Sequence, residues 1–123
     1  FIASRYTDIL MRKAECILNG APGSQTMVDS IVNLVRTRAG LGTETGVTLA
    51  QMFDERRKEF ADEGSRWFDL QRSGQLLTIM NNWIGTEDGQ HRISPVVANY
   101  VIYPVLQSQL DAAPGLYTQH LGY

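Results

Sequence analysis

Glu55-Arg56-Arg57-Lys58-Glu59-Phe60-Ala61-Asp62-Glu63-Gly64-Ser65-Arg66-Trp67-Phe68-Asp69-Leu70-Gln71-Arg72-Ser73-Gly74 is the stretch on which the fold turns. Its charges are dense and periodic. Glu55, Glu59 and Glu63 stand four residues apart, so a helix places them on one face. Arg56 falls one heptad after Leu49, on the apolar side, and needs a carboxylate partner where it is buried. We read the run as an ion-pair network. Three carboxylates on one face also suit a metal or an acid–base pair, but a helical di-metal site wants Glu-x-x-His motifs on partner helices. His91 and His120 both lie outside the helical part. No metal site, catalytic residue or cofactor is expected. In the second half of the run, Trp67 and Phe68 sit beside Arg66 and Asp69. That grouping suits sugar stacking or a cation–π site. The spacing favours structure: two aromatics plugging a core gap, with Asp69 and Arg72 fixing a turn.

Working back toward the start, Thr48-Leu49-Ala50-Gln51 fits a capping box, and Val47 with Met52 fits a hydrophobic staple. The helix they open carries Leu49, Met52, Phe53 and Phe60 on its apolar face and is expected to end at Gly64. Before it, Val28, Ile31, Val32, Val35 and Ala39 predict a helix from Thr26 to Ala39, closed by Gly40 and Gly42. The first helix is predicted over Ile2 to Leu18, with Ile2, Tyr6, Ile9, Leu10, Ala14, Ile17 and Leu18 as its stripe. Gly20 stops it and Pro22 follows. Cys16 lies seven residues after Ile9 and reads as a small buried hydrophobe. These two helices form a hairpin that cannot bury both faces alone, so a stacking neighbour is expected. The stripe is already running at the first residues, without a cap, and we expect chain upstream.

Forward of the opening stretch, a short helix carries Trp67, Phe68 and Leu70 up to Gly74. Another holds Leu76, Leu77, Ile79, Met80, Trp83 and Ile84, with Trp83 expected in the core beside Ile79 and Met80. Thr86 to Pro95 is polar and reads as a loop. Asn99 to Val105 is β-branched and aromatic and reads as an extended piece or edge strand. From Gln107 the chain is expected to be irregular, with one short turn over Ser108 to Ala112.

Composition sets the outer limits. With 123 residues there is room for one ordinary domain. Apolar residues at 43% and charged residues at 20% predict a buried core. Eleven Lys and Arg against thirteen Asp and Glu argue against a protein that grips nucleic acid by charge. One cysteine excludes an internal disulfide and a multi-thiolate metal site. The most apolar stretch, Val96 to Leu106, is far short of a membrane span and contains Asn99 and Pro104. No basic segment followed by an apolar run opens the sequence. No Gly-x-Ser-x-Gly turn and no Gly-rich phosphate loop occurs, since Gly40 and Gly42 follow a helix and do not open one.

Three pieces in order resemble one family. They are Arg5 to Glu15 with Ile31 to Leu41, then Glu55 to Gly74, then Tyr103-Pro104-Val105 with Gln107-Ser108 and a final Leu116, Gln119 and Gly122-Tyr123. Together they resemble the C-terminal region of the SusD/RagB family, the surface glycan-binding lipoproteins of Gram-negative bacteria. The family's Pro-Ile-Pro-Gln-Ser-Glu tail reads Pro104-Val105-Leu106-Gln107-Ser108-Gln109 here, and its final Asn-Pro-Gly-Tyr reads His120-Leu121-Gly122-Tyr123. The resemblance implies an all-α fold of tetratricopeptide-like hairpins with an irregular or extended C-terminal tail. Residues 1–123 would be the C-terminal part of a SusD-like domain: the last hairpin over 1–40, following helices over 48–84, and loop and tail over 85–123.

It further implies a non-enzymatic part in nutrient uptake and polysaccharide utilisation. Such a protein captures an oligosaccharide or polysaccharide at the outward face of the outer membrane for a SusC-like TonB-dependent transporter, held there by a lipid anchor outside this chain. The family's ligand residues lie mainly upstream, so no ligand-binding residue is carried over, and Cys16 is not the lipid-bearing cysteine. The alternative reading is a helical-repeat protein-interaction module without its own ligand. A hydrolase built on the carboxylates from Glu55 to Glu63 is the third.

Overall fold

The computed structural model describes residues 5–123, so the part of the first helical stripe over residues 2–4 lies outside it. Six α-helices follow in order: α1 Tyr6–Leu18, α2 Gln25–Arg38, α3 Leu49–Glu59, α4 Arg66–Arg72, α5 Leu76–Glu87 and α6 Gln107–Ala112. A 3-10 turn over Ala98–Val101 lies between α5 and α6. No strand occurs among the described residues, and the fold is all-α. No described helix is long and apolar enough to cross a membrane. The chain divides after Arg66 into two compact units.

In the first unit α1, α2 and α3 pack on one another. Their shared core holds Met11 and Ala14 from α1, Val28, Ile31, Val32 and Val35 from α2, and Met52 and Phe53 from α3. Val47 and Phe60, the residues flanking α3, complete it. Each helix start has a local cause. Ser24 caps α2 by accepting the Met27 N–H, and Thr48 and Gln51 form the full capping box of α3. Val47 and Met52, the expected staple, are both buried in this core.

A polar ladder on α2 fixes the 40–48 connection. Gln25 Nε2 donates to the Val47 carbonyl at 3.0 Å. Asp29 accepts the Gly46 and Val47 N–H groups, each at 2.9 Å. Asn33 accepts the Glu44 N–H and donates to the Glu44 carbonyl, both at 2.8 Å. Arg36 Nε donates to the Gly42 carbonyl at 2.7 Å. These four residues recur every three or four positions and share one face of α2.

Several boundaries differ from expectation. Helix α3 stops at Glu59 and not at Gly64, because the chain turns through Asp62, whose φ of 65° is left-handed. Helix α5 runs through Gly85 to Glu87. The piece expected to be extended over Asn99 to Val105 begins as the 3-10 turn. Beyond that turn Val105 pairs with the Gln119 side chain, not with a neighbouring strand. Cys16 is exposed. It shares the outer position of Ile9, itself 59% exposed, while the core face of α1 runs through Met11, Ala14 and Leu18.

The second unit buries little apolar surface: Leu70 of α4 and Leu76 and Ile84 of α5. The buried face of α5 steps through Leu76 and Ile84, and Trp83 falls on its margin at 51% exposure, against the core placement expected. Side-chain amides organise the rest. Asn81 donates to the Val96 carbonyl at 2.9 Å and accepts the Val96 N–H at 2.7 Å. Gln119 does the same to Val105, at 3.0 and 2.9 Å. The Tyr123 hydroxyl lies 3.0 Å from the Asn99 carbonyl and 3.2 Å from that of Ile102.

Candidate functional site

The three carboxylates singled out above each meet an arginine. Glu55 Oε1 accepts from Arg36 Nη1 at 2.7 Å and from Lys58 at 3.2 Å. Glu59 is shared by Arg5, at 2.6 Å, and by Arg38. Glu63 takes Arg5 in a bidentate grip, at 2.7 and 3.1 Å. Arg5 also donates to the backbone carbonyl of Glu59 at 2.6 Å. It therefore places a positive charge on the last turn of α3, where the helix dipole favours one. No group of three or more metal-ligating side chains is placed to hold an ion among the described residues.

Arg56 is fully buried. Its Nη1 lies 2.9 Å from Asp8 Oδ1, and Asp8 also accepts from Arg12 Nε at 3.0 Å. The guanidinium carbons of Arg56 and Arg5 stand 4.7 and 4.5 Å from the Phe60 ring centre. Burial pushes the Asp8 carboxyl up, but the hydrogen bonds and charges of Arg12 and Arg56 outweigh it and hold it below its ordinary value. Burial likewise raises Glu59, and Arg38 and Arg5 bring it below the ordinary value. The arrangement is a clamp between α1 and the end of α3. It favours the ionised form of Asp8 and Glu59 and engages both carboxylates in ion pairs.

Of the two aromatics, Trp67 is partly buried and Phe68 departs from expectation. Phe68 is 57% exposed and does not plug a core gap. A two-turn helix buries one face, and α4 gives that face to Asp69 and Leu70. Asp69, only 2% exposed, receives Arg72 Nη2 at 2.8 Å, as the turn reading required.

A cleft of about 420 Å³ opens in the first unit between α2, the 40–48 connection and α3. Val32, Val47 and Ala50 form its apolar lining. Its polar side carries Arg36, Glu44, Glu55, Asp54 and Lys58, with Gln51 beside them. Arg36 Nη2 reaches Glu44 Oε1 at 3.1 Å, and Lys58 reaches Asp54 Oδ2 at 2.7 Å. The Lys58 hydrogen bond holds the Asp54 carboxyl below its ordinary value. Asp54 in turn raises the Lys58 ammonium. No single residue type announced this cleft in the sequence; its signal was the spacing of Gln25, Asp29, Asn33 and Arg36. A second hollow, of about 370 Å³, lies in the second unit between Asn81 and Ile84 of α5 and the loop through His91 and Pro95. It is shallower in polar chemistry, because the Asn81 amide is committed to Val96.

The family model described as the SusD family matches residues 1–123. The chain belongs to the SusD family. Among curated proteins nothing matches it. This SusD-family chain is similar to solved structures of surface glycan-binding protein A from Bacteroides thetaiotaomicron, at 34% identity over 94% of this chain, with a TM-score of 0.76. A further structure of that protein, in complex with laminarihexaose, superposes with a TM-score of 0.77 at the same identity and coverage. Surface glycan-binding protein A from Bacteroides uniformis matches at 32% identity over 94% of the chain, with a TM-score of 0.75. The SusD-family chain spans 23% of the length of the first protein and 26% of the last.

Proposed function

We propose that this chain is the C-terminal part of a longer, non-catalytic protein that captures oligosaccharides at the outward face of the outer membrane. It hands them to a TonB-dependent transporter of the SusC type. The observation that carries the reading is the likeness, at 34% identity, to a surface glycan-binding protein whose structure holds laminarihexaose. The ion-pair clamp around Glu59 agrees with a binding role, since its carboxylates are engaged in holding α3 and not in proton transfer. Calorimetry of the full-length protein against laminarihexaose, cellohexaose and maltohexaose tests the reading. Binding of at least one, with a co-purifying transporter, is the expected outcome; binding of none, with no transporter, overturns it.

A second reading is a helical-repeat module that contacts protein alone. Exposed Tyr6, Ile9 and Leu34 on the hairpin favour it. A stable protein partner retained by a full-length protein that binds no glycan distinguishes it.

A further inference from the structure

We propose that the cleft between α2, the 40–48 connection and α3 is a saccharide subsite that takes one ring of a neutral glycan. This rests on the glycan-capture reading and adds a location to it.

The cleft volume of about 420 Å³ lies within the usual range of small-molecule sites. Its walls are set before any ligand arrives. Gln25, Asp29, Asn33 and Arg36 pin the connection through its backbone, so binding orders little chain. Charge then selects the ligand class. Each cation of the cleft already stands beside a carboxylate: Arg36 by Glu44 and Glu55, Lys58 by Asp54 and Glu55. An anion or a cation has to compete with a built-in partner. A hydroxyl does not, because it donates and accepts at once. It accepts a hydrogen bond from Lys58 or Arg36 and donates one to the adjoining carboxylate. Neighbouring hydroxyls on a sugar ring match such donor–acceptor pairs.

The pairs differ in how readily they share. Glu44, Asp54 and Lys58 side chains are about half exposed, and exposed pairs add little net stability, so a hydroxyl inserts at little cost. Arg36 and Glu55 are largely buried and stay fixed as the anchor. Ala50, exposed on α3 above the buried Val32 and Val47, supplies the apolar surface that the C–H face of a sugar covers.

Two measurements on the full-length protein test the proposal. The first is calorimetry of Ala50→Trp, which fills the cleft from an exposed helix position, using whichever of the three hexasaccharides binds the parent protein. A loss of fivefold or more in affinity at an unchanged melting temperature supports the subsite; equal affinity overturns it. The second needs no variant. Acetylation of Lys58 by an N-hydroxysuccinimide ester is followed by mass spectrometry with and without the same hexasaccharide. Slowing at Lys58, with Lys13 unchanged as the internal control, supports the subsite. Equal rates overturn it, and a parent protein that binds none of the three sugars overturns the glycan-capture reading itself.

Discussion

The two units of this chain reach order by different means. The first, up to Arg66, gathers ten buried apolar residues from three helices and the positions flanking α3 into one cluster. The second, from Trp67, buries three, and twelve of the seventeen exposed large hydrophobics among the described residues lie in it. Leu121 is 89% exposed and Leu116 71%. What the second unit lacks in apolar burial it replaces with side-chain amides that each grip one residue's backbone at both ends, Asn81 on Val96 and Gln119 on Val105. A core of interlocking side chains resists disruption cooperatively. Single hydrogen bonds net only about 1 kcal/mol each, so order held by them is local.

The sharpest way to test that difference is Arg56→Ala. It leaves Asp8 with Arg12 alone and opens a void where a fully buried side chain stood, and we expect a loss of about 3–5 kcal/mol in urea unfolding. A loss below 1 kcal/mol would show that Arg56 is a passenger in the core. Met52→Ala follows, at about 2–5 kcal/mol, because the residue is fully enclosed by the three helices. Should it cost no more than a substitution in the second unit, the contrast between the two collapses.

Acid gives a third test. The Asp8 and Glu59 carboxyls are held below their ordinary values, so folding binds them in the ionised form. Their contribution is complete above the unfolded carboxylate range, near pH 4, and is lost as pH falls through the lowered values. Hydrogen exchange should therefore report loosening of the α1–α3 clamp below about pH 4 and constancy from pH 5 to 7. Loosening between pH 5 and 7 would require another group to control it. The smallest effect is expected from Asn81→Ala, about 1–2 kcal/mol. Faster exchange should be confined to residues 93–97 while the first unit stays protected. A cooperative loss across the first unit would refute the local character assigned to that clamp.

What could be read from sequence follows the same division. The core helices were legible because their apolar residues keep a helical period, and the capping box at Thr48 and Gln51 marks a start through residues only three apart. That Arg56 needs a carboxylate was legible from its apolar register, but Asp8 as the partner was not, since 48 residues separate them. Cys16 was misplaced because Ile9, the residue it was counted from, faces outward. Phe68 and Trp83 were misplaced because large aromatics at helical spacing read as core, whereas α4 and α5 bury only narrow faces. The cleft between α2 and α3 carried no motif. Its walls come from four polar residues on α2 whose targets are backbone groups, and a backbone group leaves no letter in the sequence.

The amide clamps of the second unit have a chemical consequence. Each works because one side chain offers a nitrogen donor and an oxygen acceptor to the same residue. Conversion of Asn81 to aspartate by slow loss of ammonia changes the mass by roughly one dalton, yet it swaps the donor for a second acceptor aimed at the Val96 carbonyl. Attraction becomes repulsion at that end of the clamp. The 93–97 segment would keep the Asp88 hold on the Ile93 N–H and the Asn81 oxygen on the Val96 N–H, so the change is expected to loosen one end of the clamp and not to release the segment.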